Sequence, residues 1–386
     1  MKILIFTSKF GMGHYRAAEA LAEAIQSARP EDTTLLCDFT ELLLGQHRAE
    51  MIYGAYRRFV ARGSGIYNHI YRTCTGSSAK ETRRRHSALL LPIRRVLEES
   101  GADVILSSYS GCNGLIGDCL RKYHLSLPFI TCITDIGIHG KWIDPAIDLY
   151  LAASEETRLQ LLLLGIDHRK IAVTGIPVRQ SFLTSAKEPK TLKNAAGRPA
   201  SSAEETRLLI MGGGLGLLPS GEGFYDSLEA MPALKTTVIT GRNQQLLRRL
   251  SGRYRNVRFL PFIENIAALF AESDWLFTKP GGITIFEAIH TGTPMILEPA
   301  FLQQEKANGE FVRQSGAGIL LPKTIEKNPK PLLAALQDHS EQKRIVQNMA
   351  ALQSHLDTGA LMRFLDHAAL ETERRTSHAS YFRAVL

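Results

Sequence analysis

Missing from this chain of 386 residues are Asp-x-Asp triplets, Cys-x-x-Cys pairs and apolar runs of membrane-spanning length, and each absence excludes a class of protein. Runs such as Leu161 to Leu164 and Ala88 to Leu91 fall far short of the about 20 residues that cross a bilayer, so no transmembrane segment is expected. The five cysteines, Cys37, Cys74, Cys112, Cys119 and Cys132, show no zinc-ligand spacing, and their odd number suits reduced thiols packed inside a cytosolic protein. Met1 to Phe6 run straight into a glycine loop, with no basic segment, long apolar core or small-residue cleavage site. They read as a first strand rather than a secretion signal. No GxxxxGK(S/T) phosphate loop occurs, and Arg16 stands where a GxGxxG dinucleotide fingerprint needs its third glycine.

What is present is an ordinary globular composition, 44% hydrophobic and 22% charged, which sets disorder and fibrous classes aside. The length favours two domains. The formal charge is +8, and its distribution is uneven. Between His47 and Arg95 there are 11 Lys and Arg against Glu50 and Glu81, a net +9, so the remainder of the chain sums to −1. Tyr53, Tyr56, Phe59, Tyr67 and Tyr71 are interleaved with these cations. Aromatic rings with polar tips favour the headgroup region, and clustered cations favour anionic lipid, so this stretch reads as a membrane dock. A solvated helical hairpin is the plainer alternative. Nothing resembling an RNA-binding or helix-turn-helix signature accompanies it, so no nucleic-acid partner is expected.

Apolar runs of strand length alternate with helical patterns: Ile3 to Thr7, Thr34 to Cys37, Val104 to Ser107, Phe129 to Thr134 and Leu149 to Ala152. After a polar stretch rich in Lys, Pro, Ala and Ser between Phe182 and Thr206, the alternation restarts with Leu208 to Met211, Thr237 to Thr240, Arg258 to Leu260, Trp275 to Thr278 and Met295 to Leu297. Such alternation predicts two doubly wound α/β halves, each binding ligands at the carboxyl ends of its strands.

Each half opens with a strand that runs into glycines, Gly11-Met-Gly13-His14 and Gly212-Gly213-Gly214-Leu-Gly216. A third element, Lys279-Pro-Gly281-Gly282-Ile283, precedes a predicted helix whose free N–H groups and positive dipole end suit a diphosphate. Glu287 falls about one and a half turns into that helix, where a carboxylate could accept hydrogen bonds from both hydroxyls of a ribose. Gln304 and Glu305, with Asn308 one turn later, offer polar groups for sugar hydroxyls.

In order and spacing these residues resemble a known family. Gly11-x-Gly-His-x-x-Ala-Ala, Thr134-Asp135 with His139 and Trp142, Gly175-Ile-Pro-Val-Arg179, the Gly212 loop, Gly241-Arg242-Asn, and Pro280-Gly-Gly to Glu287 are similar to the motifs of processive diacylglycerol glucosyltransferases and monogalactosyldiacylglycerol synthases. Those enzymes are relatives of MurG with a GT-B fold, two Rossmann-like domains facing a cleft. The resemblance, which runs from Lys2 to about Gly318, implies an inverting glycosyltransferase that moves a hexose from a UDP-sugar to a membrane lipid, diacylglycerol in the first instance. It implies an acceptor and membrane-binding domain over 1–183, a linker over 184–206, a nucleotide-sugar domain over 207–355, and a helical tail over 356–386 packing back on the first domain.

For the donor it implies a uracil pocket near Phe262 and Ile263, a ribose grip by Glu287, and sugar contacts from Gln304 and Glu305. Phosphate contacts would come from Arg179, Gly212, Gly213, Gly214, Gly281 and Gly282, with Arg242 and Ile283 also placed in the donor site. The acceptor would meet Gly11, Gly13, His139 and Trp142. The run Pro299-Ala-Phe-Leu-Gln-Gln304-Glu305 is about two residues longer than the family's usual pattern, which leaves the donor sugar open.

Inversion needs a base for the acceptor hydroxyl and positive charge for the departing diphosphate. His14, at the tip of a strand-to-helix loop and titrating near neutrality, is the leading base; Asp135 is the rival. Arg179 and the helix after Gly282 supply the positive field, so neither a metal nor a cofactor is expected. Arg57, Arg58, Arg83, Arg84 and Arg85 would hold the anionic membrane surface. Transfer to a polyprenyl-linked or glycosylated lipid, a UDP-sugar epimerase of the same architecture, and a non-catalytic nucleotide-sugar binder remain competing readings.

Overall fold

The structure, a computed structural model, describes residues 1–10, 12–62, 87–185, 205–213, 216–300, 303–322, 325–326 and 328–370. The described residues fall into two compact units: those within 1–56, 87–179 and 356–370 form the first, and those within 57–62 and 180–355 the second.

The first unit is a six-stranded parallel sheet in the order β2-β1-β3-β4-β5-β6. Its strands are β1 (Lys2–Thr7), β2 (Thr33–Asp38), β3 (Val104–Ser107), β4 (Phe129–Cys132), β5 (Leu149–Ala152) and β6 (Ile171–Val173). Around it lie helices α1 (Gly13–Ala28), α2 (Phe39–Leu44), the greater part of α3 (Gln46–Arg62), α4 (Ser87–Ser100), α5 (Ser110–Tyr123) and α6 (Glu155–Leu163). Strand side chains point alternately to opposite faces, and each face here has its own core. Ile3 and Ile5 pack with Ala18, Leu21 and Ile25 of α1, and with Leu361, Leu365 and Ala368 from the helical residues 360–370. Leu4 and Phe6 pack on the other face with Ile93 and Leu97 of α4 and Ile116 of α5. Strands β1, β3, β4 and β5 are buried on both faces, which is why they read as unbroken apolar runs, whereas β2 at the sheet edge is largely exposed. The return of the chain is pinned where the Asp357 amide donates to the Val173 carbonyl at 2.7 Å, and where Arg29 pairs with Asp366.

The second unit repeats the design, in the order β12-β11-β10-β7-β8-β9. Its strands are β7 (Thr206–Met211), β8 (Leu234–Ile239), β9 (Val257–Leu260), β10 (Trp275–Thr278), β11 (Met295–Leu297) and β12 (Gly318–Leu320), all parallel. The helices are α7 (Gln180–Ser185), α8 (Glu222–Glu229), α9 (Gln244–Leu250), α10 (Ala267–Glu272), α11 (Gly282–Thr291), α12 (Gln303–Ser315), α13 (Lys330–Leu336) and α14 (His339–Ser354). The short edge strands β6 and β12 were not expected from the sequence, and the run expected to 134 leaves the sheet at Cys132. Thr134 and Asp135 therefore sit in the loop beyond β4.

Candidate active site

In the first unit the loops beyond β1, β3 and β4 converge on His14. The loop after β1 passes through Met12, whose φ of 64° lies in the left-handed region that side-chain-bearing residues rarely adopt, and turns directly into α1. His14 is therefore in the first turn of a helix rather than at an exposed tip. Its Nδ1 lies 2.6 Å from Thr134 Oγ1, and its carbonyl accepts from Ser108 Oγ at 2.9 Å. Tyr109 and Trp142 flank the ring at 5.3 and 6.3 Å between centroids. The sequence reading expected titration near neutrality. Burial instead pushes the imidazole down to about 4, although a hydrogen bond to the Ser108 main chain works the other way. The ring is neutral at physiological pH.

Asp135 follows Thr134, and burial pushes its carboxyl up to about 7. His139 precedes the tight turn Gly140–Trp142 and is pushed down to about 4, by burial first and then by the charge of Lys141. Its ring lies 6.2 Å from that of Trp142, which is fully buried. The turn is held by Asn113, fully buried on α5. Its amide donates to the Trp142 carbonyl at 3.0 Å and to Thr131 Oγ1 at 3.1 Å, while Ser107 Oγ donates to its carbonyl oxygen at 2.6 Å. Of the expected first-half residues, the structure thus brings together His14, His139 and Trp142. Sequence reasoning missed Ser107, Ser108, Tyr109 and Asn113. Their signal was Ser107 closing the strand run from Val104 and the polar residues directly after it, where a parallel sheet puts its ligands.

In the second unit three glycine-bearing turns follow β7, β8 and β10. A Cβ on Gly212 would lie 2.4 Å from the Leu217 carbonyl oxygen, and one on Gly216 1.9 Å from that of Thr240, so both positions require glycine. Asn243 donates to the Gly216 carbonyl at 3.2 Å and caps α9 by accepting from the Leu246 amide, which joins the Gly241-Arg242-Asn243 motif to the first turn. Arg242 is exposed, as is Phe262 at 51%, whereas Ile263 is half-buried.

Helix α11 starts at Gly282, after Gly281 in extended conformation, with no side chain among the described residues hydrogen-bonded to its cap. Its first N–H groups carry the positive end of the helix dipole. Glu287 is 7% exposed, a buried carboxylate rather than a solvated one. Lys279 lies 3.9 Å from Glu305 Oε1, and its charge opposes the upward push that burial gives Glu298. Asn308, expected to face sugar hydroxyls, is 2% exposed. It donates to the Pro280 carbonyl at 3.1 Å, tying α12 to the glycine turn.

Arg179 is half-buried at the end of the first unit. Gly11, Gly214, Arg83, Arg84 and Arg85 lie outside the described residues, as does the side chain of Gln304. On α3, Arg57 is half-buried and Arg58 exposed. Tyr53, counted with the interfacial aromatics, is instead 1% exposed and donates to Asp38 Oδ1 at 2.6 Å. Among the described residues no helix is long and apolar enough to cross a membrane, and no group of three or more His, Cys, Asp or Glu is arranged to hold a metal ion.

Two α/β units of parallel sheet, each with its candidate residues on loops beyond the strand ends, define a GT-B architecture, and comparisons with known proteins agree. The crystal structure of Acinetobacter baumannii MurG superposes with a TM-score of 0.62 at 15% identity, over 95% of this chain and 99% of that one. A UDP-GlcNAc 2-epimerase from Neisseria meningitidis superposes at 0.56 with 13% identity, over 96% and 100%, so the fold alone does not separate transferase from epimerase.

Sequence families do separate them. The monogalactosyldiacylglycerol (MGDG) synthase model matches residues 14–178, and the glycosyltransferase family 28 C-terminal domain matches residues 226–364. The two matches, one in each half, mark the chain as a glycosyltransferase similar to the MGDG synthases and to the enzymes of family 28. It is 26% identical over 392 residues to the processive diacylglycerol beta-glucosyltransferase of Bacillus pumilus, covering 100% of this chain and 98% of that one. The enzyme of the same name from Bacillus cytotoxicus is 26% identical over 393 residues, covering 98% and 95%.

Proposed function

We propose that this glycosyltransferase moves a hexose from a UDP-sugar to diacylglycerol, with inversion, at the cytoplasmic face of the membrane. The observation that carries the chemistry is the neutral His14 held at the strand ends beside Tyr109 and Trp142. One ring nitrogen faces Thr134, which leaves Nε2 to take the proton of the acceptor hydroxyl. That oxygen bonds to the anomeric carbon as the bond to UDP breaks, and the electron pair leaves on the diphosphate. The negative charge that develops is met by the N–H groups at the start of α11, by the Gly212 loop, and by Arg179 and Arg242. No metal is assigned to this step, and UDP-sugar is a substrate rather than a resident cofactor. Gly13, His139 and Trp142 are assigned to the acceptor, and Glu287, Phe262, Ile263, Ile283 and Glu305 to the donor.

The choice of diacylglycerol rests on the near full-length relatives, and apolar exposure in the first unit supports a lipid surface. Met51 is 64% exposed and Ile52 39% on α3, and Leu91 is 57% exposed on α4, within the basic stretch of the chain. Neither an epimerase nor a soluble nucleotide-sugar binder has use for such a surface.

The direct test incubates the protein with radiolabelled UDP-glucose or UDP-galactose and mixed micelles of diacylglycerol, glucosyl-diacylglycerol or a polyprenyl phosphate, with and without EDTA. Label should enter the organic phase with diacylglycerol, and EDTA should leave the rate unchanged. Label found only in an epimerised nucleotide sugar would defeat the reading.

A further inference from the structure

Building on the assignment of His14 as the base, we propose that Thr134 is a positioning residue that fixes which nitrogen of the His14 imidazole carries the proton. Its hydroxyl accepts from Nδ1–H, so that Nε2 presents its lone pair to the acceptor.

Thr134 is 6% exposed, and its hydroxyl has two polar neighbours among the described residues, His14 Nδ1 at 2.6 Å and the Ser108 carbonyl oxygen at 3.5 Å. A carbonyl can only accept. If the single hydroxyl hydrogen is directed to Ser108, the lone pairs of Oγ1 face the imidazole, and Nδ1 supplies the proton in that bond.

The direction of the Ser108 carbonyl is itself fixed. The Ser108 amide donates to the Phe6 carbonyl at 3.0 Å, and its Oγ lies 2.9 Å from both Thr7 Oγ1 and the His14 carbonyl oxygen. One serine thus ties the loop after β3 to the end of β1 and the first turn of α1. Tyr109 and Trp142 flank the ring and oppose a flip that would exchange its nitrogens. Because the ring is neutral, it has one proton to place, and its placement decides between a base and a bystander. In the opposite tautomer Nε2–H would point at the acceptor hydroxyl and could take nothing from it. Where other histidine bases use a carboxylate to hold the ring, a neutral hydroxyl does so here and adds no charge to the site.

The test reads the tautomer directly. Protein labelled with 15N-histidine is compared as parent, Thr134→Val and Thr134→Ser by long-range 1H–15N correlation at pH 7. Transfer from UDP-glucose to diacylglycerol micelles is measured on the same samples. His14 should be in the Nδ1–H form in the parent and the serine variant, and mixed or Nε2–H in the valine variant. The valine variant should lose about 10- to 100-fold in kcat, less than the roughly 10²- to 10⁴-fold that a general base contributes, with KM for UDP-glucose unchanged. Serine should restore kcat to within about threefold.

A parent in the Nε2–H form, or a valine variant that keeps Nδ1–H at whatever rate, overturns the proposal. Should valine fail to fold, Thr134→Ala serves in its place. A His14→Ala variant with parental activity would instead remove the base assignment while leaving the tautomer result standing, so the two failures are distinguishable.

Discussion

The two units use the same sheet to make sites of opposite construction. In the first, the reactive group is a side chain and its environment is made of side chains: Thr134, Ser108, Tyr109, Asn113 and Trp142 come from loops and helices after two different strands. In the second, the polar surface is largely main chain, made of glycine turns and an uncapped helix start, with Glu287 and Lys279 as local additions. A side-chain site can tune proton affinity, as the downward push on His14 and the upward push on Asp135 show. A main-chain site cannot titrate at all, and suits a diphosphate whose charge is constant. The contrast predicts that damage in the first unit falls on kcat and its pH dependence, and damage in the second on nucleotide affinity.

The largest effect is expected at His14. His14→Ala should reduce transfer by about 10²- to 10⁴-fold while UDP affinity stays within about twofold, measured by calorimetric titration alongside the assay. Unequal proton affinities allow a second test on the parent protein. A base must be unprotonated, so with His14 in that role the rate climbs as pH rises through about 4 and is then level to neutrality. If Asp135 were the base, the climb would centre near 7. A profile of kcat against pH from 4.5 to 8.5 that is level below 6.5 supports His14; one that rises tenfold per unit there transfers the role to Asp135.

The second unit should break differently. Gly216→Ala places a methyl group against the Thr240 carbonyl oxygen at a φ of 63°, whereas Gly213→Ala, at 68°, meets open space. Left-handed strain alone costs about 1–2 kcal/mol per residue, so Gly213→Ala should lose that much in urea unfolding and Gly216→Ala clearly more, with weaker UDP binding. Equal losses would mean that the Gly212 turn yields without cost. Next in size, Glu287→Ala should weaken UDP binding by about 1.5–3 kcal/mol, the scale of a charge-assisted hydrogen bond, with kcat at saturating donor little changed. Unchanged UDP affinity would remove Glu287 from the ribose.

That contrast also explains what could be read from the sequence. Main-chain sites announce themselves through glycine, because few other residues fit, so the turns at 212 and 281 stand out in the sequence itself. Most of the ten strand runs were legible because burial on both faces leaves them continuously apolar, but β6 and β12 are edge strands of three residues each and only partly buried. Side-chain pairing left no such mark. His14 and Thr134 are 120 positions apart, and nothing local says that a threonine beside a conspicuous aspartate is the partner. Tyr53 misled for a related reason. Its place among arginines looked interfacial, yet Asp38, the residue that caps α2, draws its hydroxyl inward.

The smallest effect, and the one that bears on the unit comparison from outside both sites, concerns the surface of α3. If the first unit owns the acceptor because it meets the lipid, removing its exposed apolar residues should lower transfer to diacylglycerol in vesicles without touching UDP affinity. Met51 and Ile52 project from α3 with Arg48 and Arg58 exposed on the same helix. Apolar insertion contributes in proportion to buried area, whereas each cation near an anionic surface adds about 1 kcal/mol and is screened over about 8 Å at physiological ionic strength. The two contributions therefore separate by salt. Met51→Ser with Ile52→Ser should weaken co-sedimentation with vesicles by a similar factor, about fivefold, at low and high salt. Arg48→Gln with Arg58→Gln should weaken it only at low salt and only when anionic lipid is present. Parental binding by both variants in all four conditions would mean that α3 does not meet the membrane, and the lipid contact would have to be sought elsewhere in the first unit.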